Sequence, residues 1–442
     1  MDRSPEAKSA AVPTVARQAE EVRGRWPWAE PAVWTERMLT ALEQGVKGGI
    51  WFSLIDKVHS VRNLTASFTR VQANGGAAGV DHVSVERFEE HLAKNLEGLS
   101  RALRAGSYCP QAVRRVYIPK PDGTQRPLGI PTVRDRVVQA ALRNVLEPIF
   151  ERDFAAHSYG FRPGRGCRDA LRRVDQLLKE GYRYVVDADL KSYFDTIPHD
   201  KLLALIRRKV ADGRVLKLLE AFLHQGVLDG LEEWTPEEGT PQGAVISPLL
   251  ANIYLDPLDH HMAEAGFAMV RYADDFVILC RSPQEAHRAL QMVQAWTEAN
   301  GLTLHPTKTR IVNVHEDGFD FLGYHFQGDK HWPRKKSLDK VRDSLRAKTP
   351  RTSGTSLLCI ITDVSRTLRG WFGYFKHSSW RSLDTLDKWV RMRLRSILRK
   401  RLGLRGRGRG CDHQRWPNAF FAEHGLFSLV AAHRLACQSP SG

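Results

Sequence analysis

The sequence predicts an α+β domain followed by an all-helical one. Short runs rich in β-branched and aromatic residues, at 182–190 and 267–279, lie among helical patterns in the first three quarters of the chain. Beyond Ser337 the main patterns are helical. That same region is strongly basic. Between 334 and 409 there are 22 Lys/Arg and 5 Asp/Glu, a net of +17, which leaves −1 for the rest of the 442 residues.

The elements follow in order. Residues 1–33 are polar and rich in Ala and Pro, and read as a flexible N-terminal arm. From 34 to 68 the pattern is helical, with Met38, Leu39, Leu42 and Val46 at helical spacing. Asn74-Gly75-Gly76 breaks it, and 86–103 is helical again. Residues 113–118 and 127–130 flank Lys120-Pro121-Asp122-Gly123, the pattern of a hairpin with a tight turn. Residues 133–150 read as an amphipathic helix, and 169–178 as a helix behind the Gly-rich turn at 161–167. A buried strand is expected at 182–190. Helices follow at 199–208, 216–223 and 246–262, then two short strands around a turn at 267–279. The helix at 282–300 ends before Gly301. Strands are expected at 302–304, 309–314 and 319–326, and basic helices at 338–346, 360–375 and 382–402. Alternating Arg and Gly at 405–410 read as a flexible linker, with a small apolar tail at 420–435.

Composition excludes several classes. Hydrophobic residues make up 42% of the chain, too many for a disordered or fibrous protein. The six Cys are scattered and no CxxC occurs, so neither a disulfide scaffold nor a Cys-rich zinc module is expected. No apolar run reaches the ~18 residues of a membrane span. Asp2 and Glu6 stand where a secretory signal would be basic and apolar, so the expected compartment is cytoplasmic. The basic block is the footprint of a polyanion, in practice a nucleic acid.

Three carboxylates stand out. Asp189 ends the run Tyr184-Val-Val-Asp-Ala-Asp189, and Asp274-Asp275 interrupt the apolar stretch Arg271–Leu279. Side chains alternate along a strand, so adjacent aspartates can share a metal only at a tight turn or strand end. Carboxylates among apolar residues need positive compensation. Mg²⁺ is the natural candidate, being oxygen-liganded and bound through one or two carboxylates plus substrate phosphates. Asp187 shares the strand face of Asp189, and spacing alone does not separate them.

Tyr272-Ala-Asp-Asp275 resembles the signature of reverse transcriptases, and Asp187-Ala-Asp-Leu-Lys-Ser-Tyr-Phe-Asp195 resembles their first catalytic motif. Gly239-Thr-Pro-Gln-Gly-Ala-Val-Ile-Ser-Pro248 is similar to their nucleotide-pocket motif. His157-Ser-Tyr-Gly-Phe-Arg-Pro163, Arg126-Pro-Leu-Gly-Ile-Pro131 and Gly79-Val-Asp81 resemble versions found in group II intron reverse transcriptases. Gly370-Trp-Phe-Gly-Tyr-Phe375 and Gly425-Leu-Phe-Ser-Leu429 resemble their maturase region. The similarity runs in order from about Trp34 to the end.

The resemblance implies a right-hand polymerase, α+β, with fingers and an antiparallel palm sheet at 34–330. A helical thumb/maturase (X) domain follows at 331–404, then a basic linker with a small DNA-binding region at 405–442. It selects Asp189 over Asp187 and makes Asp189, Asp274 and Asp275 the catalytic triad. Their metals would be two Mg²⁺ ions, with Mn²⁺ as the alternative. Phe194 matches the aromatic under the deoxyribose, where its bulk would clash with a 2′-OH. Gln242 matches the pocket residue beside the incoming nucleotide, Lys120 and Arg126 the triphosphate contacts, and Lys308 a basic position near the palm. Phe321-Leu-Gly-Tyr324 matches a strand holding the primer end, with Gly323 allowing close backbone approach. Arg369, Lys376 and Arg381 would contact RNA, and Arg405, Arg407 and Arg409 target DNA. Trp371 and Phe375, at i and i+4, are expected to pack a helix's buried face.

The implied partners are group II intron RNA, an RNA template with a DNA primer, dNTPs and target DNA, with no membrane. The implied location is bacterial cytoplasm, at the nucleoid when DNA is bound. The HNH endonuclease module of many such proteins has no counterpart here, so second-strand cleavage is not expected of this chain. A domesticated polymerase serving CRISPR adaptation or phage defence is disfavoured by the basic C-terminal region. A polymerase-dead splicing cofactor is disfavoured by Gln242, Phe194 and the three aspartates.

Overall fold

Helix Val133–Glu151 organises the N-terminal part of the chain. Thr132 starts it by accepting from the Asp135 N–H, and the helix is then buried on nearly every face. The amphipathic pattern at 133–150 is therefore enclosed on all sides, and its polar residues survive through partners. Asp135 accepts from the Tyr108 hydroxyl at 2.5 Å and from the Gln111 N–H at 3.1 Å. Asn144 donates to Asn63 at 2.9 Å, and its carbonyl accepts from Trp34 Nε1 at 2.9 Å. These hydrogen bonds keep the desolvation cost of Asp135 and Asn144 small, while Arg136 Nε and Gln139 Nε2 on the same helix have no partner among the described residues.

This computed structural model describes residues 22–119, 123, 125–408 and 410–438. In chain order the strands are β1 (Val113–Pro119), β2 (Gln125–Ile130), β3 (Tyr184–Asp189), β4 (Val227–Asp229), β5 (Glu232–Trp234) and β6 (Ala268–Tyr272). They continue with β7 (Asp275–Cys280), β8 (Arg310–Asn313), β9 (Phe319–Phe321), β10 (Tyr324–Gln327) and β11 (Lys330–Pro333). They form three sheets, in the orders β2-β1-β4-β5, β6-β7-β3-β8 and β11-β10-β9. The chain divides into two compact units. One holds Met1–Arg173, Ala188–Ile278 and His287–Arg310, and the other Val174–Asp187, Leu279–Ala286 and Ile311–Gly442.

In the first unit β1 and β2 are antiparallel, with Arg114 opposite Ile130 and Pro119 opposite Gln125. The expected turn between them lies outside the described residues except Gly123, whose φ is +85°. β4 pairs parallel with β1, and β5 folds back on β4. Neither was expected, because three-residue strands carry no periodic signal. Two helical expectations split. The 34–68 pattern becomes Glu36–Gln44, Ile55–Val58 and Val61–Asn74, the first ending at Gly45 with φ +86°. The 86–103 pattern becomes Val85–Glu89 and Leu92–Ala105. At 302–304 only an isolated bridge forms, Leu304 to Leu190. Residues 22–33 are not a free arm: Ala29 and Val33 are buried, and Glu30 pairs with Arg70 at 3.0 Å.

In the second unit β9, β10 and β11 form an antiparallel meander. The single strand expected at 319–326 is broken by a hairpin turn at Leu322-Gly323, with φ +46° and +84°. Helices Lys335–Lys348, Leu357–Phe375 and Trp380–Arg401 share one core that includes Val341, Val364, Leu386 and Leu394. Trp416, Phe421 and Leu429 of the tail belong to that core, so the tail is part of the helical bundle. Asp387 ties it in by accepting from the Leu429 and Val430 N–H groups at 3.1 and 3.2 Å. The Arg/Gly segment is likewise pinned. Arg399 donates to the Arg405 carbonyl at 2.8 Å, and Arg351 to the Gly406 carbonyl at 2.8 Å. No helix of the described residues is long and apolar enough to cross a membrane.

Candidate active site

The Tyr272–Asp275 turn joins β6 to β7 through Ala273, whose φ is +59°. A non-glycine residue there is strained and needs its surroundings to hold it. Arg271 does this from below. It is buried, donates to Asp259 at 2.5–3.0 Å, and donates through Nη1 to Asn252 Oδ1 at 3.0 Å and to the Ala273 carbonyl at 2.9 Å. Gly160 closes the other side, where a Cβ would lie 2.2 Å from the Ala273 nitrogen. Asn252 donates to the Gly160 carbonyl at 2.8 Å. The His157–Tyr159 segment bonds to Arg271 in both directions, Arg271 N–H to His157 and Tyr159 N–H to Arg271. The turn is thus fixed before any ligand arrives. Tyr272 stays neutral, because a hydrogen bond with Cys167 and burial push its phenol up to about 12.

Asp189 ends β3, the strand next to β7. Its Oδ2 lies 2.5 Å from Lys308 Nζ. Lys308 is carried there by a loop whose His305 N–H donates to the Asp189 carbonyl at 2.7 Å. Burial first, with the Asp189 charge, holds the Asp274 carboxyl above its usual range, while a backbone hydrogen bond and then Arg126 and Arg271 pull it back. Asp274 therefore feels both Asp189 and Arg126. Among the described residues no three His, Cys, Asp or Glu side chains form a ready-made ion cage. The donor chemistry still suits a divalent cation: carboxylate oxygens at the end of β3 and at the turn that opens the neighbouring β7.

The nucleotide-pocket residues are gathered by close backbone approach. Ser192, at φ +51°, starts the short 3₁₀ turn Tyr193–Asp195. Tyr193 is buried and donates to the Ala251 carbonyl at 2.6 Å, which leaves Phe194 half-buried beside it. Phe194 meets Phe161 edge-on at 6.4 Å. The 239–243 loop lies against this turn. Thr240 N–H donates to the Phe194 carbonyl at 2.6 Å, and Gln242 Nε2 donates to Asp195 Oδ2 at 2.9 Å. Gly243, at φ +107°, sits where a Cβ would lie 2.6 Å from the Gly129 carbonyl of β2. The Gly129 N–H donates to the Gln242 carbonyl at 2.7 Å. β2, which carries Arg126, is thereby tied to the loop that carries Gln242. Lys120 lies outside the described residues.

Other expected contacts fall differently. Tyr324 is 2% exposed, and its hydroxyl donates to the Tyr374 carbonyl at 2.8 Å. It packs the second unit, and Gly323 shapes the adjoining turn. Trp371 and Phe375 pack with ring centroids 4.7 Å apart, Phe375 buried and Trp371 lying against the helical core, as expected. Arg369, Arg381, Arg405 and Arg407 are exposed and Lys376 is half-buried; Arg409 lies outside the described residues. Part of the basic block is structural. Arg395 is buried and donates to the Trp416 carbonyl at 2.9 Å, and Arg393 holds Thr349. Sequence reasoning missed Arg271, Gly160 and Asp195. The available signal for Arg271 was a cation inside an otherwise apolar strand.

Comparison with known proteins places these features. Residues 118–326 match the reverse transcriptase (RNA-dependent DNA polymerase) family, and 338–416 the group II intron maturase-specific domain. Protein YkfC of Escherichia coli (strain K12) is 38% identical over 290 residues, 56% of this chain and 74% of YkfC. Group II intron-encoded protein LtrA of Lactococcus lactis subsp. cremoris is 40% identical over 196 residues, 44% of this chain and 32% of LtrA. An uncharacterized 91 kDa protein in the cob intron of Schizosaccharomyces pombe is 33% identical over 277 residues, 49% of this chain and 34% of that protein. Reverse transcriptases use divalent metal ions and act on a template and primer, and a maturase-specific domain implies intron RNA. With a reverse transcriptase domain, a maturase domain and these relatives, the chain belongs to the group II intron-encoded reverse transcriptase/maturase family.

Proposed function

We propose that this protein copies its own group II intron RNA into DNA, assists splicing of that RNA, and supports intron mobility by target-primed reverse transcription. The observation that carries the polymerase reading is that Asp189 ends β3 and the Asp274-Asp275 turn opens β7, the strand beside it, with Asp274 subject to the charges of both Asp189 and Arg126.

In this reading a primer 3′-OH attacks the α-phosphate of a dNTP, a phosphodiester bond forms, and pyrophosphate leaves. Two Mg²⁺ ions held by Asp189, Asp274 and Asp275 would stabilise charge on the attacking and leaving oxygens. Arg126 and Lys120 neutralise the triphosphate, and Lys308 guards Asp189 until substrate arrives. Gln242, steadied by Asp195, lies along the incoming nucleotide. Phe194, backed by Phe161, fills the space a 2′-OH would need, so DNA is made. The exposed Arg369, Arg381, Arg405 and Arg407 and the half-buried Lys376 hold RNA or target DNA through phosphates.

The test compares wild type with Asp274→Ala in dNTP incorporation on a primed RNA template, and in splicing of the host intron. Synthesis is expected to vanish while splicing assistance persists. Wild type that splices but makes no DNA would overturn the polymerase reading. Wild type that makes DNA but neither binds nor splices the intron would overturn the maturase reading.

A further inference from the structure

Trp380 is a large aromatic left 54% exposed at the start of helix Trp380–Arg401. The start of this helix is tied to β11, because the neighbouring Ser379 N–H donates to the His331 carbonyl at 2.9 Å. Two cavities of about 340 and 510 Å³ meet at Trp380 and His433. Both fall in the size range of small-molecule sites. Their walls are mixed rather than apolar. Lys330 and Arg381 line the first and Arg434 the second, so cations flank the indole on both sides.

A second observation is independent of the indole. Ser378, 1% exposed, lines the first cavity, and its hydroxyl has no hydrogen-bond partner among the described residues. A buried hydroxyl left unpaired costs free energy unless a ligand or water satisfies it. Asp329 adds an acceptor at the same rim. The histidines do not make a metal site, since no three His, Cys, Asp or Glu among the described residues are spaced to hold an ion.

A flat ring with cations beside it, plus a donor and an acceptor at the edge, matches one unstacked nucleotide. The base lies on the aromatic face, the phosphate meets the cations, and the polar groups read the base edge. We propose that Trp380 is the stacking wall of a pocket that captures one unpaired nucleotide of single-stranded RNA. This rests on the reading that the chain binds intron RNA, and it adds where an unpaired base is held. Lys330 and Arg381 take the flanking phosphate, and the Ser378 hydroxyl bonds the base edge or the ribose 2′-OH.

The experiment uses the full chain and a short single-stranded oligoribonucleotide carrying one photoreactive thiouridine. Its duplex form, a DNA of the same sequence and free AMP serve as comparisons. Wild type is expected to cross-link the single strand on the peptide carrying Trp380. Trp380→Ala should lose that cross-link and bind the single strand about tenfold more weakly, the loss of one stacked base. Trp380→Phe should restore most of the affinity. Duplex binding, and dNTP incorporation on a preformed primer–template, should be unchanged in both variants. Undiminished single-strand affinity in Trp380→Ala would overturn the pocket. Equal cross-linking of the DNA, or displacement of the RNA by AMP, would overturn its assignment to single-stranded RNA. If wild type makes no DNA yet these binding differences hold, the polymerase reading fails and the pocket stands.

Discussion

Lys308 Nζ lies 2.5 Å from Asp189 Oδ2, so the carboxylate expected to hold a metal is already paired with a cation. A divalent ion and Lys308 compete for the same oxygen. Lys308→Ala should therefore lower the metal concentration needed for half-maximal synthesis. It should also cut kcat/KM for dNTP about tenfold, through loss of a charge-assisted contact. Metal titrations of primed-template synthesis in both proteins check this. An unchanged metal requirement would mean that the ion pair is irrelevant to metal loading.

Arg271 is expected to be the most sensitive position beneath the site. Removing it leaves Asp259 buried without its partner and frees the left-handed Ala273 turn. Arg271→Ala should cost about 3–5 kcal/mol of stability, the usual penalty for breaking a buried pair from one side. Urea unfolding measures it. Asp259→Asn should cost less, because an amide still accepts from the guanidinium.

Gly243→Ala tests the tie between β2 and the Gln242 loop. The new Cβ would meet the Gly129 carbonyl at 2.6 Å, from a backbone with φ +107°. The expected cost is about 1–3 kcal/mol in stability. KM for dNTP should rise more than kcat falls, because the displaced parts bind rather than react. Steady-state kinetics on a primed RNA template resolve the two.

Phe194→Ala should relax sugar selection. With the ring gone, a ribonucleotide's 2′-OH meets no obstacle. Discrimination against rNTP should fall by up to about 100-fold, the scale on which pocket shape alone rejects an added hydroxyl. Incorporation of single rNTPs and dNTPs gives the ratio. Unchanged discrimination would assign Phe194 to packing with Phe161 and Tyr193 alone.

Asp212 gives a pH test of the fold. Burial pushes its carboxyl up, but N–H groups of Leu54, Ile55, Val215 and Arg214 together hold it below the usual range. A depressed folded pKa stabilises fully above the unfolded value of about 3.9, and the gain disappears as pH falls through the folded value. Wild type should exceed Asp212→Ala by about 1–2 kcal/mol near neutrality. The gap should close in acid, read from unfolding midpoints across that range.

Most elements were legible because their signals are local. The β-branched run ending in Asp189, the apolar flanks of Asp274-Asp275 and the basic helices each show within a few residues of sequence. What stayed hidden needs two distant segments at once. The break at Leu322-Gly323 and the short strands β4 and β5 are set by pairing partners, not by periodicity. The tail looked separate because nothing local links Leu429 to Asp387.

The sequence by itself determined the family, the three candidate aspartates and the nucleic-acid-binding charge, since ordered motifs and composition need no folded context. Only the tertiary structure decided which charges are available and which are consumed. Arg271 and Arg395 are spent inside, Lys308 is turned onto Asp189, and Trp380 is left open beside cations. Burial and pairing depend on what lies across space, and a side chain's chemistry is set by its neighbours as much as by its identity.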